Sequence, residues 1–297
     1  RPDALRRLLR SIAAQDDPGC PWEVIVVDNE SPPAAAATVD AVGSDAPVPM
    51  RWVWEPAPGS AHARNRGIAE ARGAITVLVD DDVVAEPAWL RELIAPIVSG
   101  ECDGTGGRVL LERPARAPRW FDYEGIGGYL THYDLGDAPV DLRERDYLVT
   151  ASAAFRTDIL RATGGFDAAL GPTGSGHLVG DDALIHRKVL ALGGRVRYVP
   201  GSVVVHELPP ERLTRRYLLR RAYEQGRSDW ILDRDALEPM RLHGLRVALL
   251  ELRDEARRRW HEGLTRSAVR FHLVTDIVRF TGNVRQMVTW ELERRRS

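Results

Sequence analysis

The sequence of 297 residues, 44% of them hydrophobic, is long enough for one large α/β domain and a helical appendage with a sizeable core. Its 41 basic and 43 acidic side chains leave a net charge of −2, which argues against a nucleic-acid binder held by phosphate contacts. Cys20 and Cys102 lack paired metal spacing and point to a thiol-tolerant cytoplasmic setting; no apolar run approaches the roughly 18 residues of a membrane span, and no signal peptide is read at the start.

In chain order, Leu5, Leu8, Leu9 and Ile12 behind Pro2 and Asp3 predict a helix over residues 2–15. Residues 24–27 are a β-branched run ending in Asp28, Asn29, Glu30 and Ser31, the profile of a strand buried on both faces that meets a polar loop. A short strand at 51–54 and a loop with Pro56, Pro58 and Gly59 lead into a helix at 64–71, and residues 74–79 form a third buried strand ending in Asp80, Asp81 and Asp82. This alternation predicts a mainly parallel sheet flanked by helices, in which ligands bind at the carboxyl ends of the strands, where Asp28 and the Asp80 cluster fall. Further on, a helix at 89–98, a strand at 106–111, a long functional loop over 113–146, helices at 155–163 and 182–192 and a strand at 195–205 are expected. From about Glu211 the pattern is amphipathic and arginine-rich, with Trp260, Leu264, Phe271, Val274 and Val278 among Arg257, Arg258, Arg259, Arg266 and Arg270. The expected division is a catalytic domain over 1–210 and a helical region over 211–297.

Several motifs stand in one order: Arg1-Pro2-Asp3-Ala4-Leu5, Val26-Val27-Asp28-Asn29-Glu30-Ser31, Ala63-Arg64-Asn65-Arg66-Gly67 and Asp80-Asp81-Asp82, then Ala154-Phe155-Arg156, Gly164-Gly165-Phe166-Asp167, Gly180-Asp181-Asp182 and Val204-Val205-His206. Over roughly residues 1–230 this set resembles glycosyltransferase family two, inverting enzymes of the GT-A fold with a DXD motif. The resemblance implies a Rossmann-like α/β domain with a helical C-terminal extension, acting on a nucleotide-diphosphate sugar. The family also places a strand and a nucleotide-contacting loop just ahead of the Arg-Pro motif. That segment is not part of this sequence, so a fragment or a misplaced start is expected. Two smaller departures are Ser152, where many relatives carry asparagine, and Asp181, where glutamate is usual.

Sugar transfer from a nucleotide diphosphate requires neutralisation of the leaving diphosphate, which a divalent cation supplies well. Alternate side chains of an extended segment share a face, so Asp80 and Asp82 can point together while Asp81 turns away. The resemblance implies Asp80 near the ribose and Asp82 and His206 on the metal. Carboxylates with one imidazole suit Mn²⁺ or Mg²⁺. It likewise implies that Asp28, with Asn29, meets the nucleobase, the alternative being a helix cap, for which Ser31 is better suited. Arg64, just inside a helix start, could reach the base or the diphosphate, and Asn65 could order the loop.

The acceptor hydroxyl needs a base, and Asp181 and Asp182 both sit where a helix start favours a carboxylate, next to Gly180. Chemistry does not choose between them; the family's base is the second acid, Asp182. Gly106, Gly107, Asp181 and Trp120 are the expected donor and acceptor contacts, with core packing the alternative for Trp120 among Phe121, Tyr123 and Tyr129. The acceptor is expected to be a saccharide, lipid carrier, peptide or secondary metabolite. The arginine-rich helices are expected to present a solvated face, with dimerisation or contact with the inner membrane surface as alternatives. Two rival readings are a sugar nucleotidyltransferase, which needs a glycine-rich phosphate loop that is not visible, and a non-catalytic nucleotide-sugar-binding pseudoenzyme.

Overall fold

The structure, a computed structural model, describes residues 2–29, 34–114, 116–123, 125–168, 170–173, 176–178, 180–237 and 266–294. Glu30, Ser31, Trp260, Leu264 and the arginines at 257–259, singled out above, lie outside these residues. Two units are distinguished: one comprises Arg1–Glu112, Thr131–His177 and Asp181–Glu207; the other comprises Arg113–Leu130, Leu178–Gly180 and Leu208–Ser297.

In the first unit, α1 (Pro2–Ala13) buries Leu5, Leu8, Leu9 and Ile12, the stripe read from the sequence. Strand β1 (Val24–Asn29) pairs in parallel with β2 (Met50–Glu55). Leu5 and Leu9, with Ala35 and Val39 of α2 (Ala34–Gly43), pack against Val24, Val26 and Met50 on one face of this pair. On the other face Gly67 of α3 (Ser60–Glu70) lets that helix settle against Val27. The valines of β1 are half-buried rather than fully buried, while Asp28 at its end is buried.

The larger sheet is ordered β3-β7-β5-β10-β4: β3 (Ile75–Val79), β7 (Ser152–Arg156), β5 (Gly104–Leu111), β10 (Val196–His206) and β4 (Val83–Ala85), with β6 (Val140–Leu142) also on β10. Strands β3, β5 and β10 run the same way, and β7 is inserted antiparallel between β3 and β5. Strands β8 (Gly171–Thr173) and β9 (Gly176–Leu178) form a small separate sheet. The register of β10 on β5 shifts between Val199 and Val203, where Pro200 has no N–H for the ladder. Helices α4 (Trp89–Val98), α5 (Thr157–Ala162) and α6 (Asp181–Ala191) complete the unit.

Residues 155–163, expected as one helix, divide at Arg156 into the end of β7 and the start of α5. Phe155 is fully buried in the strand, with Gly104 opposite, where a Cβ would lie 2.7 Å from the Phe155 ring. Ser152 is also fully buried, and its Oγ accepts from Trp89 Nε1 at 2.9 Å. This bond gives the departure at Ser152 a packing role.

In the second unit α7 (Arg215–Leu237) and α8 (Arg266–Arg294) cross closely where Gly226 faces the Arg279 backbone and Gly282 faces that of Tyr223. The buried side of α8 carries Ala268, Phe271, His272 and Thr275. Val274, expected on that side with Phe271 and Val278, is exposed, because the glycine contacts set which face meets α7. Among the described residues no helix is long and apolar enough to cross a membrane.

A Cβ at Gly107, in the middle of β5, would strike Ser152 Oγ, Ser202 Oγ and the Ser202 carbonyl. Gly107→Ala should therefore destabilise the protein by about 1 to 3 kcal/mol, read as a lower urea midpoint with an unchanged slope.

Candidate functional site

Two strand ends and two helix starts meet in one group of side chains within the first unit. Asp80 follows β3 directly, and the chain turns through Asp81 and Asp82 into β4. Because β4 pairs antiparallel with the end of β10, Val83 stands opposite His206, and Glu207 N donates to Asp82 O at 2.8 Å. The turn is thus fastened to the strand that carries the histidine. The Glu207 side chain is in turn held by Arg7 of α1. Ligand atoms of Asp80, Asp82 and His206 lie within 4.8 Å of one another, the aspartates in the turn after β3 rather than in the extended segment expected.

The chemistry of this trio fits a cation. His206 Nδ1 lies 2.8 Å from Glu207 O, a carbonyl that only accepts, so Nδ1 carries the proton. Nε2 then faces Asp82 Oδ1 at 3.2 Å, with both side chains almost wholly buried, at 3% and 5% exposure. Two lone pairs cannot face each other there without a proton or a metal ion between them. Two carboxylates and one imidazole make a hard, mixed O/N set suited to Mn²⁺ or Mg²⁺.

Arg64, in the second turn of α3, is the hub of the remaining carboxylates. Its Nη2 donates to Asp80 Oδ1 at 3.1 Å and its Nη1 to Asp181 Oδ2 at 2.5 Å, while Asp182 Oδ1 is 3.9 Å away. Burial works against the Arg64 charge, but Asp80, Asp182 and Asp181 more than offset it, and the guanidinium pKa is raised. The Phe166 ring lies under the guanidinium at 5.4 Å. Asn65 fixes that arrangement: its Nδ2 donates to Phe166 O and its Oδ1 accepts from Phe166 N, both at 2.8 Å. Lys188, the only lysine in the sequence, donates to Gly165 O at 2.8 Å and supports the same turn.

Asp181 and Asp182 open α6, where the helix dipole favours negative charge, right after Gly180, whose φ of +107° side-chain-bearing residues rarely adopt. Asp182 Oδ1 accepts from Thr150 Oγ1 at 2.5 Å. Burial first, then the neighbouring Asp181 charge, push the Asp182 carboxyl up to about 7, against the pull of Arg64 and Thr150.

Thr150 was not singled out in the sequence, where it stands between Val149 and Ala151 two residues before Ser152; Phe166 stood in a recognised motif but had no assigned role. Asn29 spends its amide on the loop after β2, donating to Glu55 O and Ala57 O and accepting from Gly59 N, so it orders the approach to α3. Gly106 and Gly107 are buried in β5 against Leu148, Ser152 and Ser202, with packing neighbours rather than the carboxylate group. Trp120 belongs to the second unit, its ring on Phe271 with centroids 4.6 Å apart.

Comparison with known proteins bears on the family and the fold. The family described as "Glycosyl transferase family 2" matches residues 1–164, more than half of the chain. Succinoglycan biosynthesis protein ExoM of Rhizobium meliloti (strain 1021) is 26% identical over 250 residues, covering 84% of this chain and 75% of the relative. Glucosyl-dolichyl phosphate glucuronosyltransferase of Haloferax volcanii is 26% identical over 177 residues, 59% of this chain and 56% of the relative. Among solved structures, mannosyltransferase PcManGT from Pyrobaculum calidifontis in complex with GDP-Man and Mn²⁺ aligns with a TM-score of 0.59 at 21% identity, covering 97% of this chain and 84% of that one. GalNAc-T7 with UDP, GalNAc and Mn²⁺ aligns with a TM-score of 0.51 at 14% identity, over 75% of this chain and 46% of that one. With the matched motifs and the mixed α/β sheet, these findings place the chain in glycosyl transferase family 2, with the GT-A fold.

Proposed function

We propose that this glycosyltransferase moves a sugar from a nucleotide-diphosphate sugar, a UDP-sugar in the first instance, to an acceptor hydroxyl with inversion at the anomeric carbon. The reading is carried by the meeting of Asp80, Asp82 and His206 with the Arg64-linked pair Asp181 and Asp182. Asp82 and His206, with Asp80 beside them, would hold Mn²⁺ or Mg²⁺; such an ion neutralises charge growing on a leaving diphosphate. Asp28, buried at the end of β1, is suited to accept from an imide N–H of the base. The relatives named for succinoglycan biosynthesis and for a glucosyl-dolichyl phosphate support a saccharide or lipid-linked acceptor.

In this reading Asp182 is the general base. As the acceptor oxygen bonds to the anomeric carbon on the face opposite the departing diphosphate, its proton passes to Asp182. Thr150 engages Oδ1 and fixes the carboxylate's orientation, which leaves Oδ2 for the proton. Arg64 keeps Asp181 paired, so one acid of the two is neutralised and the other is available for chemistry.

Only ionised Asp182 can accept a proton, and its pKa stands near 7, so kcat/KM should fall as pH drops below about 7. Asp182→Asn should lower kcat by about 10² to 10⁴ and abolish that acidic limb while leaving donor binding intact. An unchanged profile would remove Asp182 from the role. Thr150→Val deletes a hydrogen bond to the ionised form, and the limb should move to higher pH by about one pH unit.

Thermal melting with Mn²⁺ and a panel of UDP-, GDP- and dTDP-sugars tests the donor. A metal-dependent rise with one donor, kept in Asp182→Asn and lost in Asp82→Asn, is expected. Donor binding without product formation would instead mark a pseudoenzyme.

A further inference from the structure

The two arms of the Arg64 guanidinium have separate partners, and one of those partners belongs to a second group. Nη1 is on Asp181, whose side chain is 7% exposed; Nη2 is on Asp80, at 32% the most exposed carboxylate around it. Asp80 is also a member of the trio with Asp82 and His206. A cation held by that trio would therefore sit next to a carboxylate already paired with a fixed positive charge.

We propose that Arg64 is a placeholder cation: it neutralises Asp80 while the metal position is empty, yields Asp80 to the divalent ion, and offers the freed Nη2 N–H to the donor diphosphate, with Asp181 keeping Nη1. The inference rests on the metal and donor reading above. Three observations carry it. The Asp80 contact is longer and wetter than the Asp181 contact, so it is the less costly one to exchange. The stack on Phe166 and the pair of hydrogen bonds between the Asn65 amide and the Phe166 backbone anchor the side chain and its helix, so the planar fork stays in place while Nη2 exchanges one acceptor for another. Charge also requires it: a dication beside a guanidinium is repelled until new negative charge arrives, and a diphosphate supplies it with acceptor oxygens that fit a planar donor.

Asp181 then becomes a positioning residue, the fixed partner that holds Arg64 in place.

The test is Mn²⁺ titration followed by electron paramagnetic resonance on the wild type, Arg64→Gln and Arg64→Lys, with folding checked by melting. Arg64→Gln removes the competing charge and should bind Mn²⁺ alone about tenfold more tightly. Arg64→Lys keeps the charge and should bind it like the wild type. With Mn²⁺ saturating, both variants should bind UDP, or whichever of GDP and dTDP the wild type prefers, more weakly than the wild type. Unchanged or weaker Mn²⁺ binding in a folded Arg64→Gln would overturn the placeholder role, and undiminished nucleotide binding would overturn the contact with the diphosphate. A wild type that binds no Mn²⁺ would overturn the metal reading itself, and this inference with it.

Discussion

The organising constraint of this protein is a single half-buried guanidinium surrounded by carboxylates. Asp80, Asp181 and Asp182 cannot share a largely enclosed space as three free anions, and Arg64 is what lets them do so. Most of the surrounding structure serves to hold that one side chain. Asn65 clamps its helix to the Phe166 backbone, Phe166 supports its plane, and Lys188 steadies the adjoining glycine turn. Breaking such a group by removing one partner leaves uncompensated charge, which is why the cluster links function to stability.

The sheet sets where those charges appear. Strand β3 delivers Asp80 and β10 delivers His206, and the antiparallel pairing of β4 folds the acidic turn back onto the end of β10. Between them the sheet is narrowed by small residues: Gly104, Gly106 and Gly107 on β5 face Phe155, Leu148 and Ser152 at distances that admit no methyl group. Ser152 fits the same pattern, since it accepts the buried indole N–H of Trp89, which would otherwise be left without its partner in the core. These close contacts fix the spacing of the strands and helix whose ends carry the candidate site.

What could be read from the sequence was what has a local signal. The stripe Leu5, Leu8, Leu9, Ile12 fixes α1, and residues 89–98 were expected and found as a helix. The acidic turn after a buried strand marked a candidate ligand-binding end, and the resemblance, not a local signal, pointed to His206, whose ring lies beside that turn. What could not be read depends on chain segments far apart in sequence. Phe155 belongs to a strand because β3 and β5 flank it, and its own small apolar neighbours carry no period that separates strand from helix. Val274 is exposed because glycines 226 and 282 choose the face of α8. The Arg64 bridge joins residues 64, 80 and 181, and Thr150 reaches Asp182 across 32 positions; neither leaves a trace in any window of sequence.

Adjacent acids at the start of α6 show how one helix terminus can give two like residues different partners. Both gain from the same dipole and both follow the same glycine, so local chemistry alone makes them equivalent. Their difference is imposed from outside the helix. Asp181 points to Arg64 at 2.5 Å, whereas Asp182 is 3.9 Å from it and receives only a hydroxyl from Thr150. Burial and the neighbouring charge can therefore raise the second carboxyl to about 7 while the first remains tied to its cation. A carboxyl raised toward neutrality, as Asp182 is, suits acid–base chemistry near neutral pH. Which acid is paired follows from which residue the arginine on α3 can reach, so the proposed choice of Asp182 as base rests on the placement of Arg64 as well as on the motif that contains both acids.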